Sequence, residues 1–161
     1  ANAVPTAEGA IQIAMERLPV TIQGCCALVI GWGRIGKILA RKLRLLGADV
    51  TVSARREADL AMIAALGMRA DSTGRFCCGL SQYDLIVNTV PARVLGRELL
   101  ASARQDCLII DLASKPGGVD FDAAAQLGRE TVQALSLPGR VAPLSAGRLL
   151  RDAILSYLDL R

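Results

Sequence analysis

The chain has 161 residues, 52% of them hydrophobic and 21% charged, with a net charge of +4 and no histidine. That length and apolar content describe one domain with a buried sheet, and no apolar run approaches the ~18 residues of a membrane span. Sixteen of the 19 basic residues are Arg, but aromatic content is 3% (Trp32, Tyr83, Tyr157, Phe76, Phe121). The composition therefore argues against a stacking platform for nucleic acid and for anionic small ligands or a plain solvated surface.

Pro5-Thr6-Ala7-Glu8 opens a first predicted helix running to about Arg17, with Ala10, Ile13, Ala14 and Arg17 at helical spacing and Pro19 ending it. The chain begins in this amphipathic segment rather than in a recognisable targeting segment, and a cytoplasmic location is expected. The cysteines are Cys25, Cys26, Cys77, Cys78 and Cys107. An odd number, two adjacent pairs and no C-x-x-C fit reduced, mostly buried thiols rather than a disulfide framework or a zinc site, so no metal is expected.

The apolar run from Cys26 to Ile30 predicts a buried strand. It leads into Gly31-Trp32-Gly33-Arg34-Ile35-Gly36, a G-x-G-x-x-G, and a helical pattern follows over residues 37–46. Between a strand and a helix this triplet points to a dinucleotide-binding turn. Gly31 permits the tight turn, Gly33 lets the backbone approach a diphosphate, and Gly36 lets helix and strand pack closely. The diphosphate would sit at the helix N-terminus, where unpaired N–H groups and the macrodipole favour negative charge. The alternative is a tight turn with no ligand.

Gly47 stops the helix, and a second strand is predicted over residues 50–53. NAD sites place Asp or Glu at the end of this strand, to accept from the ribose 2′-OH. Here the strand ends Ser53-Ala54-Arg55-Arg56. A guanidinium presents a planar fork that suits a phosphate, so NADP is expected over NAD, with Ser53 as a further donor. The alternative is a solvated basic turn that takes either cofactor. Asp49 stands at the wrong end of the strand to be the ribose acid.

A helix is predicted over 56–66, a short third strand over 68–70, a loop or short helix over 71–81, and a fourth strand over 83–87. A helix over 92–103, a fifth strand over 107–111, a loop over 112–118, a helix over 120–127 and a sixth strand over 131–135 follow. A loop over 136–143 precedes a last helix over 145–160, apolar at Leu149, Leu150, Ile154, Tyr157 and Leu158. Strands alternating with helices imply an α/β fold with a doubly wound parallel sheet of the Rossmann type, and the first and last helices are expected to pack together. In such sheets the ligand lies outside the carboxyl ends of the strands. That selects the loops 31–36, 53–56, 88–91 and 113–118, with 138–146 as a fifth. The candidate cofactor residues are Gly31, Trp32, Gly33, Arg34, Ile35, Gly36, Ser53, Ala54, Arg55, Arg56, Asn88, Thr89, Val90, Pro91, Asp111, Ala113 and Ser114. Asn88 and Thr89 read equally as ribose- or nicotinamide-side partners and as a strand-end turn. Ser114 and Lys115 are candidates for the substrate side; an ordinary turning loop is the alternative.

The segments Pro5-Thr6-Ala7-Glu8-Gly9-Ala10, 29–36, Asn88-Thr89-Val90-Pro91, 111–121 and 137–147 resemble the family of A-type subunits of dipicolinate synthase, and the resemblance covers nearly the whole chain. The glycine motif is generic; the loops after the fourth and fifth strands and before the last helix are far more specific. The resemblance implies NADP-dependent oxidation of dihydrodipicolinate to dipicolinate in spore formation. It also implies a partner in the B-type subunit of dipicolinate synthase; a homo-oligomer is expected besides, and composition and hydropathy lead to no expected nucleic-acid or membrane partner. It carries the glycine loop over at Gly31, Gly33 and Gly36 and the 2′-phosphate contact at Arg55; it carries no catalytic base. Family members have an additional N-terminal domain of roughly a hundred residues. Residues 1–161 are therefore expected to be the cofactor-binding domain, with 1–20 as hinge and leading helix, and turnover would need the other domain.

A dihydropyridine that loses a hydride and a proton becomes aromatic, so only modest base assistance is required. Lys115, Arg93 and Arg140 are candidates to hold the two substrate carboxylates. Two other classes compete. A hydroxyacid dehydrogenase ordinarily uses a His as general acid/base, and this chain has none; a shikimate-dehydrogenase-like enzyme is nearer. A non-catalytic nucleotide sensor would bind the cofactor and turn nothing over.

Overall fold

The computed structural model describes residues 2–73, 76 and 79–159. Among these, six strands form one parallel sheet: β1 (Cys26–Ile30), β2 (Asp49–Ala54), β3 (Arg69–Ser72), β4 (Leu85–Asn88), β5 (Leu108–Asp111) and β6 (Glu130–Gln133). Their order is β3-β2-β1-β4-β5-β6. The chain winds outward from β1 in one direction, then returns to wind outward in the other. This is the doubly wound arrangement, and its topological switch lies between β1 and β4.

Strand alternation divides the core between the two faces of the sheet. Ala27, Val29, Leu85, Val87, Leu108 and Ile110 face one cluster, while Leu28, Ile30, Ile86 and Ile109 face the other. Both faces are covered, so β1, β4 and β5 are apolar nearly throughout. The first face is covered by α1 (Ala3–Arg17), α2 (Arg34–Leu45) and α3 (Glu57–Ala65). The second is covered by α4 (Arg97–Ser102) and α5 (Phe121–Gln126). In α1, Ala7, Ala10, Ile11 and Ala14 recur at i, i+3, i+4 and i+7, and all are buried.

Three expectations are corrected. Residues 92–96 are not helical. The backbone N–H groups of Val94 and Leu95 donate to the Gly118 carbonyl, and Leu95 bridges Val119, so the helix begins only at Arg97. Within 136–143 the structure forms a short helix, α6 (Leu137–Val141); Pro138 is tolerated in its first turn because the N–H it lacks would have no intrahelical partner. Finally, α1 does not pack on the last helix, α7 (Pro143–Asp159). Its neighbours are α2 and α6, and α6 fits because Gly9 has no side chain: a Cβ there would lie 2.9 Å from Val141 Cγ2. α6 thus occupies the place expected of α7, and Leu150, Ile154, Tyr157 and Leu158 remain exposed.

Cys77 and Cys78 lie outside the described residues, as does Leu160 at the end of the last predicted helix. No described helix is long and apolar enough to cross a membrane.

Candidate functional site

The carboxyl ends of β1, β2 and β4 surround a cleft of about 520 Å³. The turn after β1 forms its floor. Gly31 has φ +103°, a conformation L side chains rarely adopt, and a Cβ there would strike Thr89 and Val90. At Gly36 a Cβ would overlap the Gly31 carbonyl oxygen, so α2 packs directly on the turn that precedes it. Gly33 is different. Its backbone is extended, it caps α2, and a Cβ there would meet nothing within 4 Å. A vacancy beside the N-terminus of a 12-residue helix with no acid in its first turn is the cradle a diphosphate requires. The residues present therefore fit the dinucleotide expected from the sequence.

Trp32 lies along the same cleft, mostly buried, with Lys37 Nζ 5.8 Å from its ring centroid. The wall opposite comes from the end of β2: Ala54, Arg55 and Arg56 all line the cleft. Arg56 is engaged. Its Nε donates to Asp59 Oδ2 at 2.7 Å and its terminal nitrogen to Oδ1 at 3.0 Å. The hydrogen bond from Arg56 holds the Asp59 carboxyl below the usual carboxylate range, against partial desolvation, with further help from the Arg56 and Lys37 charges. Arg55 is exposed and makes no such pair among the described residues. Thr89, Val90 and Pro91 close the third side. Thr89 Oγ1 donates to the Ile30 carbonyl at 2.8 Å, which ties the loop after β4 to the end of β1.

Gly33 and Thr89 also border a second cavity of about 290 Å³, lined further by Arg34, Ile35, Asn2, Ala3 and Thr6. The two cavities lie on either side of the Gly33 turn. The N-terminal ends of both α1 and α2 face the smaller one.

The structure places five of the expected cofactor contacts, Ser53, Asn88, Asp111, Ala113 and Ser114, away from the cleft. Ser53 is fully buried, because β2 is an interior strand covered on both faces, and its hydroxyl accepts from Thr73 Oγ1 at 3.1 Å. Thr73, not Ser53, reaches the cleft. Asn88 and Asp111 are likewise fully buried. Asn88 Nδ2 donates to Asp111 Oδ1 at 2.8 Å and to the Val90 carbonyl at 2.9 Å. Asp111 also accepts from the backbone N–H groups of Ala113, Gly118 and Val119, at 3.1, 2.8 and 3.3 Å. These two side chains shape the loops after β4 and β5 and do not face the cleft. Ala113 is buried, and Ser114 and Lys115 are exposed on the same loop; none of the three borders either cavity. Among the other cations considered, Arg93 pairs with Asp120 at 3.3 Å, while Arg140 is exposed on α6.

Sequence reasoning missed Asp59, Thr73 and the α1 residues Asn2, Ala3 and Thr6. Asp59 had a readable mark: it stands three residues after Arg56 at a helix start, the spacing of an i,i+3 pair. Burial pushes the Cys25 thiol up to about 11 and the Cys107 thiol to about 12, so neither supplies a thiolate near neutral pH. Among the described residues no group of His, Cys, Asp or Glu is placed to hold a metal ion.

Fold and cleft together define a doubly wound domain with a dinucleotide-type glycine turn. No protein-family model matches the chain. It is 39% identical to the A-type subunit of dipicolinate synthase from Bacillus subtilis (strain 168), over 98% of this chain and 53% of that protein. Crystal structures of the same dipicolinate synthase subunit superpose closely. The Bacillus halodurans structure has a TM-score of 0.94 at 42% identity, over 98% of this chain and 54% of that one. The Bacillus subtilis structure has a TM-score of 0.94 at 39% identity, over 98% and 53%. A transhydrogenase from Sinorhizobium meliloti shares the fold, with a TM-score of 0.85 at 22% identity over 99% of this chain and 54% of that one. In sequence and fold the chain is similar over nearly its whole length to the A-type subunits of dipicolinate synthase, and it spans about half the length of the relatives it matches.

Proposed function

We infer that this chain is the NADP-binding part of an oxidoreductase that converts dihydrodipicolinate to dipicolinate, working with the B-type subunit of dipicolinate synthase in the cytoplasm during spore formation. The observation that carries the nucleotide reading is the cleft itself: an open Gly33 at the start of α2, and an exposed Arg55 just after β2 that also lines it. The relationship to dipicolinate synthase supports the substrate.

The expected division of labour follows from the residues. Free N–H groups at the start of α2 receive the diphosphate, Arg55 meets the 2′-phosphate, and Trp32, Val90 and Pro91 exclude water from the adenosine side. A bound nicotinamide dinucleotide supplies hydride-transfer chemistry. The cavity beyond Gly33 carries Arg34 and no carboxylate among its lining residues, so it suits the anionic end of the bound molecules. Lys115 and Ser114, exposed on the loop after β5, remain available to a dicarboxylate brought by the rest of a larger protein. The substrate becomes aromatic on oxidation, so the site has only to orient the ring and accept a weakly held proton. We assign no base.

Titration calorimetry with NADP and NAD tests the first step. NADP binding with a weaker response to NAD is expected; no heat with either overturns the reading. The reaction itself is tested on a protein that contains the length spanned by the Bacillus relatives. NADP, the dihydro compound and the B-type subunit should then produce the absorbance of reduced nucleotide. Binding without that absorbance would instead mark a nucleotide sensor.

A further inference from the structure

Among the described residues that line the 520 Å³ cleft, Asp59 is the one carboxylate. It stands in the first turn of α3, its side chain only 18% exposed, and grips Arg56 with two hydrogen bonds of 2.7 and 3.0 Å. Arg55, one residue earlier, has no such partner among the described residues. Two guanidiniums that look equivalent in sequence are therefore unlike in the folded chain. Arg55 is exposed on the cleft, whereas Arg56 already shares its donors and its charge with Asp59.

We propose that Asp59 sets the nucleotide preference of this cleft, restraining its selectivity for a 2′-phosphate by engaging Arg56 and holding a negative charge beside the ribose position. The proposal rests on the reading that Arg55 meets a 2′-phosphate. A phosphate can only accept hydrogen bonds, so a carboxylate beside it is repulsive and competes for Arg56. A ribose hydroxyl can donate to that same carboxylate. Asp59 therefore disfavours NADP and leaves NAD an acceptor, so that Arg55 alone carries the discrimination. The sequence rule that looks for an acid at the end of β2 overlooks this one, because it reaches the cleft from the following helix.

The test compares Kd for NADP and NAD on the 161-residue chain and its variants, by calorimetry and by the emission of Trp32, the sole tryptophan and a lining residue of the cleft. Asp59→Asn preserves size and removes the charge. It should tighten NADP about threefold to fivefold, with NAD unchanged or weaker. The gain should shrink as salt is raised, because it is Coulombic. Asp59→Glu should keep the preference of the unmodified chain. A purely structural role at the start of α3 would change stability and leave the NADP-to-NAD ratio alone. An unchanged or lower ratio in Asp59→Asn, while Arg55→Ala still reduces the preference for NADP, overturns the role of Asp59 only. Equal affinity for the two nucleotides in the unmodified chain, insensitive to Arg55→Ala, overturns the 2′-phosphate reading and this proposal with it.

Discussion

Two glycine-bearing loops leave the carboxyl ends of β1 and β5, strands separated in the sheet only by β4, and they use glycine for opposite ends. In the loop after β1, Gly33 leaves open space beside a helix N-terminus. In the loop after β5, a Cβ at Gly118 would overlap the Asn88 amide, and one at Gly117, where φ is +84°, would come within 2.9 Å of Asp111 Oδ2. The first loop keeps a vacancy facing solvent; the second is filled by its own protein. A buried carboxylate with four donors around it costs little only while all four remain. Glycine in a strand-end loop is therefore no evidence of a ligand until the neighbours of its missing Cβ are known.

The sharpest way to break this comparison is to empty the second loop. Asp111→Ala should destabilise the chain by about 3–5 kcal/mol, because it leaves the Asn88 amide and three backbone N–H groups buried without their acceptor. Urea unfolding followed by circular dichroism measures it; a loss below about 1 kcal/mol would mean that water or loop movement replaces the carboxylate. The mirror experiment fills the first loop. Gly33→Val should weaken NADP by at least about a hundredfold while changing unfolding free energy by less than about 1 kcal/mol, since the new side chain meets open space and the backbone there is already extended. Retained affinity would mean that the diphosphate lies elsewhere.

What the sequence made legible follows the same division. The sheet was readable because interior parallel strands must be apolar on both faces, and β1, β4 and β5 are. The first glycine turn was readable because Gly36 answers to a local steric requirement, a Cβ there overlapping the carbonyl of Gly31 five residues before. Asn88, Asp111 and Ser53 were misplaced for one shared reason. A polar residue at a strand end serves a ligand or a loop equally well on paper, and only the path of the loop decides. The Val94 and Leu95 amides closing on the Gly118 carbonyl are part of that path, and they join segments more than twenty residues apart. The site of α6 was hidden because Pro138-Gly139 reads as a breaker, whereas Gly9, far away in sequence, is what admits the short helix.

A smaller effect sharpens the comparison within the first cleft. Arg55→Ala should cost NADP about 1–3 kcal/mol of binding and NAD much less, because a charge-assisted contact to the 2′-phosphate is lost from the cleft that Arg55 lines. Parallel calorimetric titrations decide it, and equal losses would refute the assignment.

The smallest effect tests whether the second loop truly stands apart from the nucleotide. Lys115 is exposed at its tip and borders neither cavity, while the loop beneath it is fixed by Asp111 rather than by anything at the tip. Lys115→Ala should therefore leave unfolding free energy within about 0.5 kcal/mol and shift Kd for NADP by less than about twofold. Any contribution from Lys115 would then surface only as a raised KM for a dicarboxylate in the larger enzyme. A fivefold loss of NADP affinity in the isolated chain would show instead that the tip folds over the nucleotide. The two loops would then be two sides of one binding site, and the contrast between an open glycine turn and a filled one would lose its functional meaning.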